Sequence, residues 1–211
     1  MLAVALGFGV SLAFAAEPVH PYVGVNLQLA KPIGDFGASD LMQRQGGAEL
    51  GVGIEADVGV AGDIADFYAG LRSGRHSAES SSTVNFFGLG EVRAEGTWTI
   101  TEWLVGTRLH MRRSLRHAVI PFVGVALTGG RVTADANGTA FDSIFSAKSV
   151  SDPVTSLLLE GGILFSFYRF ADLVGSLQYQ DFNAHFEDPL WNGNVQISYV
   201  NIHLGVIYRI F

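Results

Sequence analysis

The sequence predicts an all-β fold, an eight-stranded antiparallel β-barrel that crosses a membrane. The chain of 211 residues is long enough for one domain. It is 48% hydrophobic, with a mean hydropathy of +0.30. After residue 16, however, no apolar run reaches the roughly 18 residues that a membrane helix needs. A transmembrane barrel explains both facts, because its strands alternate apolar and polar residues.

Eight segments show the period-two alternation of a strand with one apolar face. In the first segment Val23, Val25 and Leu27 share the apolar face, whereas Asn26 and Gln28 lie opposite. The predicted strands are Tyr22–Ala30, Ala48–Val60, Asp66–Ser77, a fourth that ends at Met111, Val119–Thr133, Pro153–Phe167, Leu173–Phe182 and Val195–Ile210.

The connections between these strands alternate long and short. The long ones are Lys31–Gly46, Ala78–Gly96, Ala134–Asp152 and Asn183–Gly193, and the short ones are Ala61–Ala65, Arg113–His117 and Arg169–Asp172. Bacterial outer-membrane barrels have short periplasmic turns and longer outer loops. We therefore expect the outer membrane of a Gram-negative bacterium, with both mature termini in the periplasm. Ten strands remain an alternative if Thr83–Thr101, interpreted as an outer loop with strand extensions, contains a further hairpin.

Alternation alone does not decide which face of the barrel is apolar, since a soluble lipocalin-like barrel has its apolar face inside. Here the polar face carries full charges within the strands, and only 16% of all residues are charged, few for a water-exposed exterior. This favours lipid outside. Aromatic residues near strand ends could form the girdles at the two membrane interfaces. They are Tyr22, Phe67, Trp98, Trp103, Tyr179 and Tyr208.

Residues 1–16 are uncharged and apolar and end in the small residues Ala15 and Ala16. This pattern is typical of a secretory signal peptide, although a basic residue near Met1 is missing. We expect cleavage after Ala15 or Ala16 and a barrel domain over residues 17–211.

Three short motifs resemble the OmpA/OmpX-like outer-membrane β-barrel family. They are Pro21–Val25, Ile120–Val125 and the terminal Leu204–Phe211. The resemblance covers about residues 20–211 and implies that the C-terminal aromatic strand is recognised by the outer-membrane assembly machinery. Tyr208 lies three residues before Phe211, so the two fall on opposite faces of a regular strand. Either a terminal bulge corrects this, or Ile210 is the lipid-facing end.

Charged residues on the polar face predict a charge network inside the barrel. An eight-stranded barrel is just wide enough for side chains to fill it, so interior charges should pair. The predicted set is Glu49, Glu55, Asp57, Arg72, Arg108, Arg112 and Glu160. We interpret this network as structural; the alternative is a gated ion path. His110 and His203 are expected to form hydrogen bonds in the lumen.

The sequence contains the residue types of a Ser–His–acid site, but no catalytic motif. Asp181, His185, Glu187 and Asp188 lie at the outer end of the seventh strand, and Ser77, Ser80, Ser81 and Ser82 lie in the second outer loop. Such a set could serve a lipid A-modifying enzyme, but the chain has no Gly-x-Ser-x-Gly elbow. The acids Asp181, Glu187 and Asp188 could bind Ca²⁺, although loop acids are usually solvated. We predict no catalytic residue, metal or cofactor.

The predicted function is a structural or surface-interaction role in the outer membrane. The alternatives are a narrow channel for small or hydrophobic solutes and a lipid A-modifying enzyme. The net charge of −7 argues against nucleic-acid binding. The expected partners are outer-membrane lipid, lipopolysaccharide and the assembly machinery, and the expected state is a monomer. Apolar residues in the outer segments could form a binding surface. They are Phe36, Leu41, Met42, Phe141, Ile144, Phe145 and Trp191.

Overall fold

A computed structural model describes residues 19–37, 47–80, 93–110, 119–140, 143–168, 170–187 and 192–210. The predicted signal peptide lies outside the described residues, and its cleavage stays a prediction. Among the described residues, none of the helices is long and apolar enough to cross a membrane.

The described chain forms nine strands and one short 3-10 helix, Gly34–Phe36. The strands are β1 (His20–Ile33), β2 (Ala48–Ala61), β3 (Ala65–Ser80), β4 (Arg93–His110), β5 (Val119–Ala140), β6 (Ser143–Val150), β7 (Val154–Tyr168), β8 (Ala171–Glu187) and β9 (Asn192–Arg209). Neighbouring strands pair antiparallel, and the pairings β1–β9 and β4–β5 close the sheet into a barrel.

The nine strands occupy eight positions in the barrel wall. β6 pairs with the C-terminal part of β5, and β7 pairs with the N-terminal part along the same edge. The two strands are therefore one wall position, interrupted at residues 151–153. Ser151 bridges this interruption, because its backbone N–H donates to Val132 O at 2.8 Å and its Oγ accepts from Val132 N at 3.0 Å. The predicted eight-stranded barrel is confirmed.

The strands extend further at the long-connection end than the sequence predicted. Most of Ala134–Asp152, predicted as a loop, forms the β5–β6 hairpin, with pairs from Thr133–Val150 to Ala140–Ser143. Most of Asn183–Gly193, also predicted as a loop, pairs within β8 and β9 up to Glu187–Asn192. Both loop predictions were wrong because a strand that extends beyond the lipid needs no apolar face. Alternation of apolar residues therefore stops before the backbone hydrogen bonds do.

The apolar face of the barrel points outward and the polar face inward. Leu27 and Leu204 pair across β1 and β9 and are 65% and 63% exposed, whereas Asn26 is 1% exposed. An outward apolar face is unstable in water and stable in lipid. The lipocalin-like alternative is therefore wrong.

The predicted aromatic girdles are right only in part. Trp103, Tyr179 and Tyr208 are exposed, but Tyr22 and Trp98 are buried inside. Both were predicted to belong to a girdle because they lie close to a strand end. In the alternation of their strands, however, both occupy positions that point into the barrel. A separate exterior aromatic group lies near the turn between β7 and β8, with neighbouring ring centroids 5.3–5.5 Å apart. It consists of Phe167, Tyr168, Phe170 and Tyr208.

Candidate functional site

The lumen is the site in which the buried polar residues concentrate, and apolar clusters lie at both of its ends. The loop-end cluster, near the long connections, contains Phe36, Trp98, Val132, Phe182, Phe186, Val195, Ile197 and Tyr199. The turn-end cluster, near the short connections, contains Tyr22, Tyr68, Leu104, Ile120, Phe122, Leu158, Leu164, Val174 and Ile207. Phe36 was expected on an exposed loop, but it is buried because it packs edge-on against Trp98, with ring centroids 5.8 Å apart.

Arg72 organises the polar layer below the loop-end cluster. Its Nε donates to Glu102 Oε2 at 3.0 Å, its Nη1 donates to Gln178 Oε1 at 3.2 Å, and its Nη2 contacts both Glu102 and Gln180. Gln180 Nε2 in turn donates to Glu102 Oε1 at 2.6 Å and to Thr128 Oγ1 at 2.9 Å. Tyr199 also accepts from Arg72 Nη2 at 3.4 Å. Four polar side chains from opposite walls therefore converge on one guanidinium group.

Arg108 forms the second charged centre, nearer the turn-end cluster. Its Nε donates to Glu160 Oε2 at 2.9 Å, and both side chains are fully buried. Glu160 Oε1 also accepts from Ser176 Oγ at 2.7 Å and from Gln178 Nε2 at 3.2 Å. The guanidinium carbon lies 4.2 Å from the ring centroid of Tyr68, which is cation–π distance. Gln178 joins the two arginine centres, since it contacts Arg72 as well as Glu160.

Two further acids lie beside these centres. Asn26 Nδ2 donates to Asp57 Oδ2 at 3.0 Å and to Glu55 Oε1 at 3.3 Å. His203 Nε2 lies 3.6 Å from Glu55 Oε2, and its Nδ1 lies 3.3 Å from Gln178 Nε2. The acids are thus held by amides and an imidazole in one continuous polar network.

The structure brings five of the seven predicted charges into the lumen: Glu55, Asp57, Arg72, Arg108 and Glu160. Glu49 is exposed instead, where its carboxylate accepts from Ser77 Oγ at 3.0 Å. The expectation for Glu49 was wrong because the β2–β3 register shifts between Ala48 and Gly51, which breaks the alternation. Arg112 lies outside the described residues.

Sequence reasoning missed Glu102, the main partner of Arg72. Glu102 lies two residues from both Ile100 and Leu104, which point into the barrel, so the alternation along β4 places Glu102 inside as well. It also missed Arg209, whose Nε donates to Asp172 Oδ2 at 3.1 Å at the turn end. His110 and His203 are buried in the lumen as predicted, and His110 Nε2 lies 3.1 Å from Asp66 Oδ1.

One small cavity in the polar layer is lined by described residues. It has a volume of about 10 Å³ and lies beside Gln28, Arg72 and Tyr199, which is room for about one water molecule. The described charged side chains thus pair with one another between two apolar clusters.

The candidate catalytic residues have separate partners. Asp181 accepts from Ser198 Oγ at 2.5 Å and from Gln196 Nε2 at 3.2 Å. His185 lies against Asn194 and Glu187, and Ser77 donates to Glu49. The described contacts therefore do not form a Ser–His–acid relay from these residues. Ser81, Ser82 and Asp188 lie outside the described residues, and of the Ser80 side chain nothing is described.

The closed barrel, the outward apolar belt and the polar lumen together define a membrane β-barrel protein. The family model "Outer membrane protein beta-barrel domain" matches residues 1–209, so the chain belongs to this family and is an outer-membrane protein. No curated protein matches the chain by sequence.

Two solved structures share the architecture. Neisserial surface protein A is 14% identical with a TM-score of 0.57, and the match covers 92% of this chain and 100% of that one. A major outer membrane protein from Thermus thermophilus is 13% identical with a TM-score of 0.50, and the match covers 90% of this chain and 99% of that one. At these identities the similarity shows the fold alone.

Proposed function

We propose that the protein is a closed structural barrel of the outer membrane that presents its long connections at the cell surface. One observation carries this proposal: the ion pairs Arg72–Glu102 and Arg108–Glu160 lie buried between two apolar clusters. A conducting lumen needs a continuous aqueous path, and buried ion pairs between apolar clusters oppose one.

Planar-bilayer recording tests the closed lumen. We expect purified protein to give no discrete conductance steps, while a general porin in the same bilayer gives steps and shows that the assay works. Reproducible wild-type steps whose size changes in Arg108→Gln would contradict the proposal and support the gated ion path instead.

The β5–β6 hairpin supports a surface-interaction role. Its strands extend beyond the last pair of β5 with β7, Gly130–Val154, and Ile144 near its tip is 87% exposed. Apolar side chains that project from a polar hairpin are available to bind a partner. In this role the barrel anchors the hairpin, and the hairpin makes the contact.

Lipopolysaccharide is the lipid partner that we propose for the outer face of the barrel. A groove of about 540 Å³ lies there, lined by Leu71, Trp103, Gly129, Arg131 and Pro153 among others. Arg131 is exposed and lies close to the apolar belt, a position where a cation meets lipid phosphates. We expect the midpoint temperature of unfolding in vesicles to rise when lipopolysaccharide is added, and to rise less in Arg131→Gln. Equal shifts would refute this contact.

The remaining partners and the orientation follow from the same barrel. We propose that the C-terminal strand β9 is the segment that the assembly machinery recognises, that the protein is a monomer, and that both mature termini are periplasmic. The support is that β9 pairs with β1 on one side and β8 on the other, so the barrel closes within a single chain.

A further inference from the structure

Three side chains with metal-binding atoms meet at the long-connection end of the barrel, outside the lumen. They are Asp152, in the interruption between β6 and β7, and His185 and Glu187 on β8. One ligand atom from each lies within 4.8 Å of the other two. His185 and Glu187 are two residues apart on a strand, so both side chains point to the same face. Sequence spacing did not indicate this group, because Asp152 is distant in the chain.

The backbone holds the two contributing segments together. Asp152 N–H donates to His185 O at 2.9 Å, so the acid is tied to the strand that carries the imidazole. The preceding residue, Ser151, is fixed to Val132 of β5 by two hydrogen bonds. The ligand atoms are therefore carried by hydrogen-bonded backbone on both sides.

Asn194 sets the orientation of the imidazole. It pairs with His185 across β8 and β9, and its Oδ1 lies 2.8 Å from His185 Nδ1. A carbonyl oxygen only accepts, so Nδ1 donates this hydrogen bond, and in the neutral imidazole Nε2 then carries the lone pair that a metal ion needs. Nε2 lies 3.7 Å from Glu187 Oε1. Metal-ligating histidines typically have their second ring nitrogen held in this way.

We propose that Asp152, His185 and Glu187 form a binding site for a divalent transition-metal ion such as Zn²⁺. Two donors bonded to one Zn²⁺ at roughly 2.1 Å are about 3.4 Å apart in a tetrahedron, so the 3.7 Å separation of Nε2 and Oε1 needs only a small adjustment. Two carboxylates and a neutral imidazole carry two negative charges, which a divalent cation neutralises. Ca²⁺ and Mg²⁺ prefer oxygen ligands alone, so the imidazole selects against them.

At this position a bound metal ion would stabilise the barrel wall. Asp152 and Glu187 are exposed and His185 is half-buried, so aqueous ions reach the ligands. A bound ion links the start of β7 to β8 at the interruption of the barrel wall. Because the ion binds the assembled ligands only in the folded barrel, it stabilises that barrel by mass action.

Isothermal titration of tag-free, chelator-treated protein in detergent micelles with ZnCl₂ tests the site. We expect one saturable Zn²⁺ site in the wild type that CaCl₂ in excess does not displace. His185→Ala should abolish it, and Asn194→Ala should weaken it about tenfold or more through loss of the orienting bond.

Glu187→Gln removes the charge of a proposed ligand, and Glu95→Gln is its matched control. Glu95 is also an exposed acid at the same end of the barrel, on β4. Glu187→Gln should lower the Zn²⁺ affinity at least tenfold, whereas Glu95→Gln should leave it unchanged. Heat-modifiable migration on gels verifies that every variant is folded. The proposal is overturned if folded wild type shows no saturable site, or if folded His185→Ala binds Zn²⁺ with wild-type affinity. The metal site lies outside the lumen, so binding at it is independent of whether the lumen conducts.

Discussion

Arg108 and Glu160 show how single residues hold the barrel together. Both side chains are fully buried, with Arg108 Nε 2.9 Å from Glu160 Oε2. Such a pair is expensive to remove from water, and its Coulomb attraction offsets that cost only while both partners are present. Removing one partner therefore does more harm than removing both.

Arg108→Met should lower the free energy of unfolding by about 3–5 kcal/mol, because it leaves the Glu160 carboxylate buried without its cation. The double variant Arg108→Met with Glu160→Leu should recover a large part of this loss. Urea unfolding in lipid vesicles measures both. The matched control is Arg131→Met, an exposed arginine that should change stability by about 0.5 kcal/mol or less. A double variant that is less stable than the single one would contradict the pairing.

Gly205 permits the close approach of β1 and β9. A Cβ at this position would lie 1.9 Å from Asn26 Oδ1 and 2.6 Å from the backbone oxygen of Val25. Gly205→Ala should therefore cost about 1–3 kcal/mol, since the backbone has to move. At Gly161 a Cβ meets nothing within 4 Å, so Gly161→Ala is the matched control and should be close to neutral. Equal unfolding midpoints in urea for the two variants would refute this difference.

Among the elements, the β5–β6 hairpin differs from the rest of the wall. Its pairs lie beyond Gly130–Val154, the last pair of β5 with β7, and β4 lines its other edge up to Arg93–Thr139. The hairpin thus extends the wall without contributing to the ladder that closes the barrel in the apolar belt. We therefore expect that the hairpin can be shortened without destabilising the barrel within the apolar belt.

Deletion of residues 136–147, with an Asn-Gly turn joining Asp135 to Lys148, should leave barrel assembly intact. The pairs from Thr133–Val150 to Asp135–Lys148 remain, and Asn-Gly is suited to a two-residue hairpin turn. Heat-modifiable migration of the outer-membrane fraction measures assembly. Deletion of residues 156–163 is the control that should abolish it, because it removes β7 from the belt. Loss of the folded band in the hairpin deletion would contradict the separation.

At the scale of the whole molecule, the asymmetry of the connections predicts the orientation in the membrane. The described turn from β2 to β3 spans only residues 62–64, whereas residues 34–47 join β1 to β2 at the other end. In outer-membrane barrels the short turns face the periplasm. The chain contains no cysteine, so single introduced cysteines report on one side each.

Glu95→Cys, at the long-connection end, should react with a membrane-impermeant maleimide in intact cells. Asp63→Cys, in the β2–β3 turn, should react only after the outer membrane is permeabilised. Labelling of both after permeabilisation shows that each cysteine is accessible. The reverse pattern in intact cells would place the termini outside and overturn the proposed orientation.

Much of the fold could be predicted from the sequence because lipid imposes a strict alternation on each strand. That alternation identified the eight wall positions and the outward apolar face. It failed where lipid does not act: at the β5–β6 hairpin beyond the belt, and at Glu49, where the register shift beside Ala48 changes the face. The inward positions of Tyr22, Trp98 and Glu102 also follow from the alternation along their strands, but they were not among the predicted lumen residues.

The architecture, the membrane environment and the set of charges available inside the barrel can thus be predicted from the sequence, since all three depend on a local period of two. The partner of each charge depends on the tertiary structure. Closure of the barrel brings Arg72 to Glu102 and Gln180, and Arg108 to Glu160, and it places Asp152 beside His185. These contacts join different strands across the lumen or around the wall, and strand register and barrel closure set them, neither of which is visible in the alternation of a single strand.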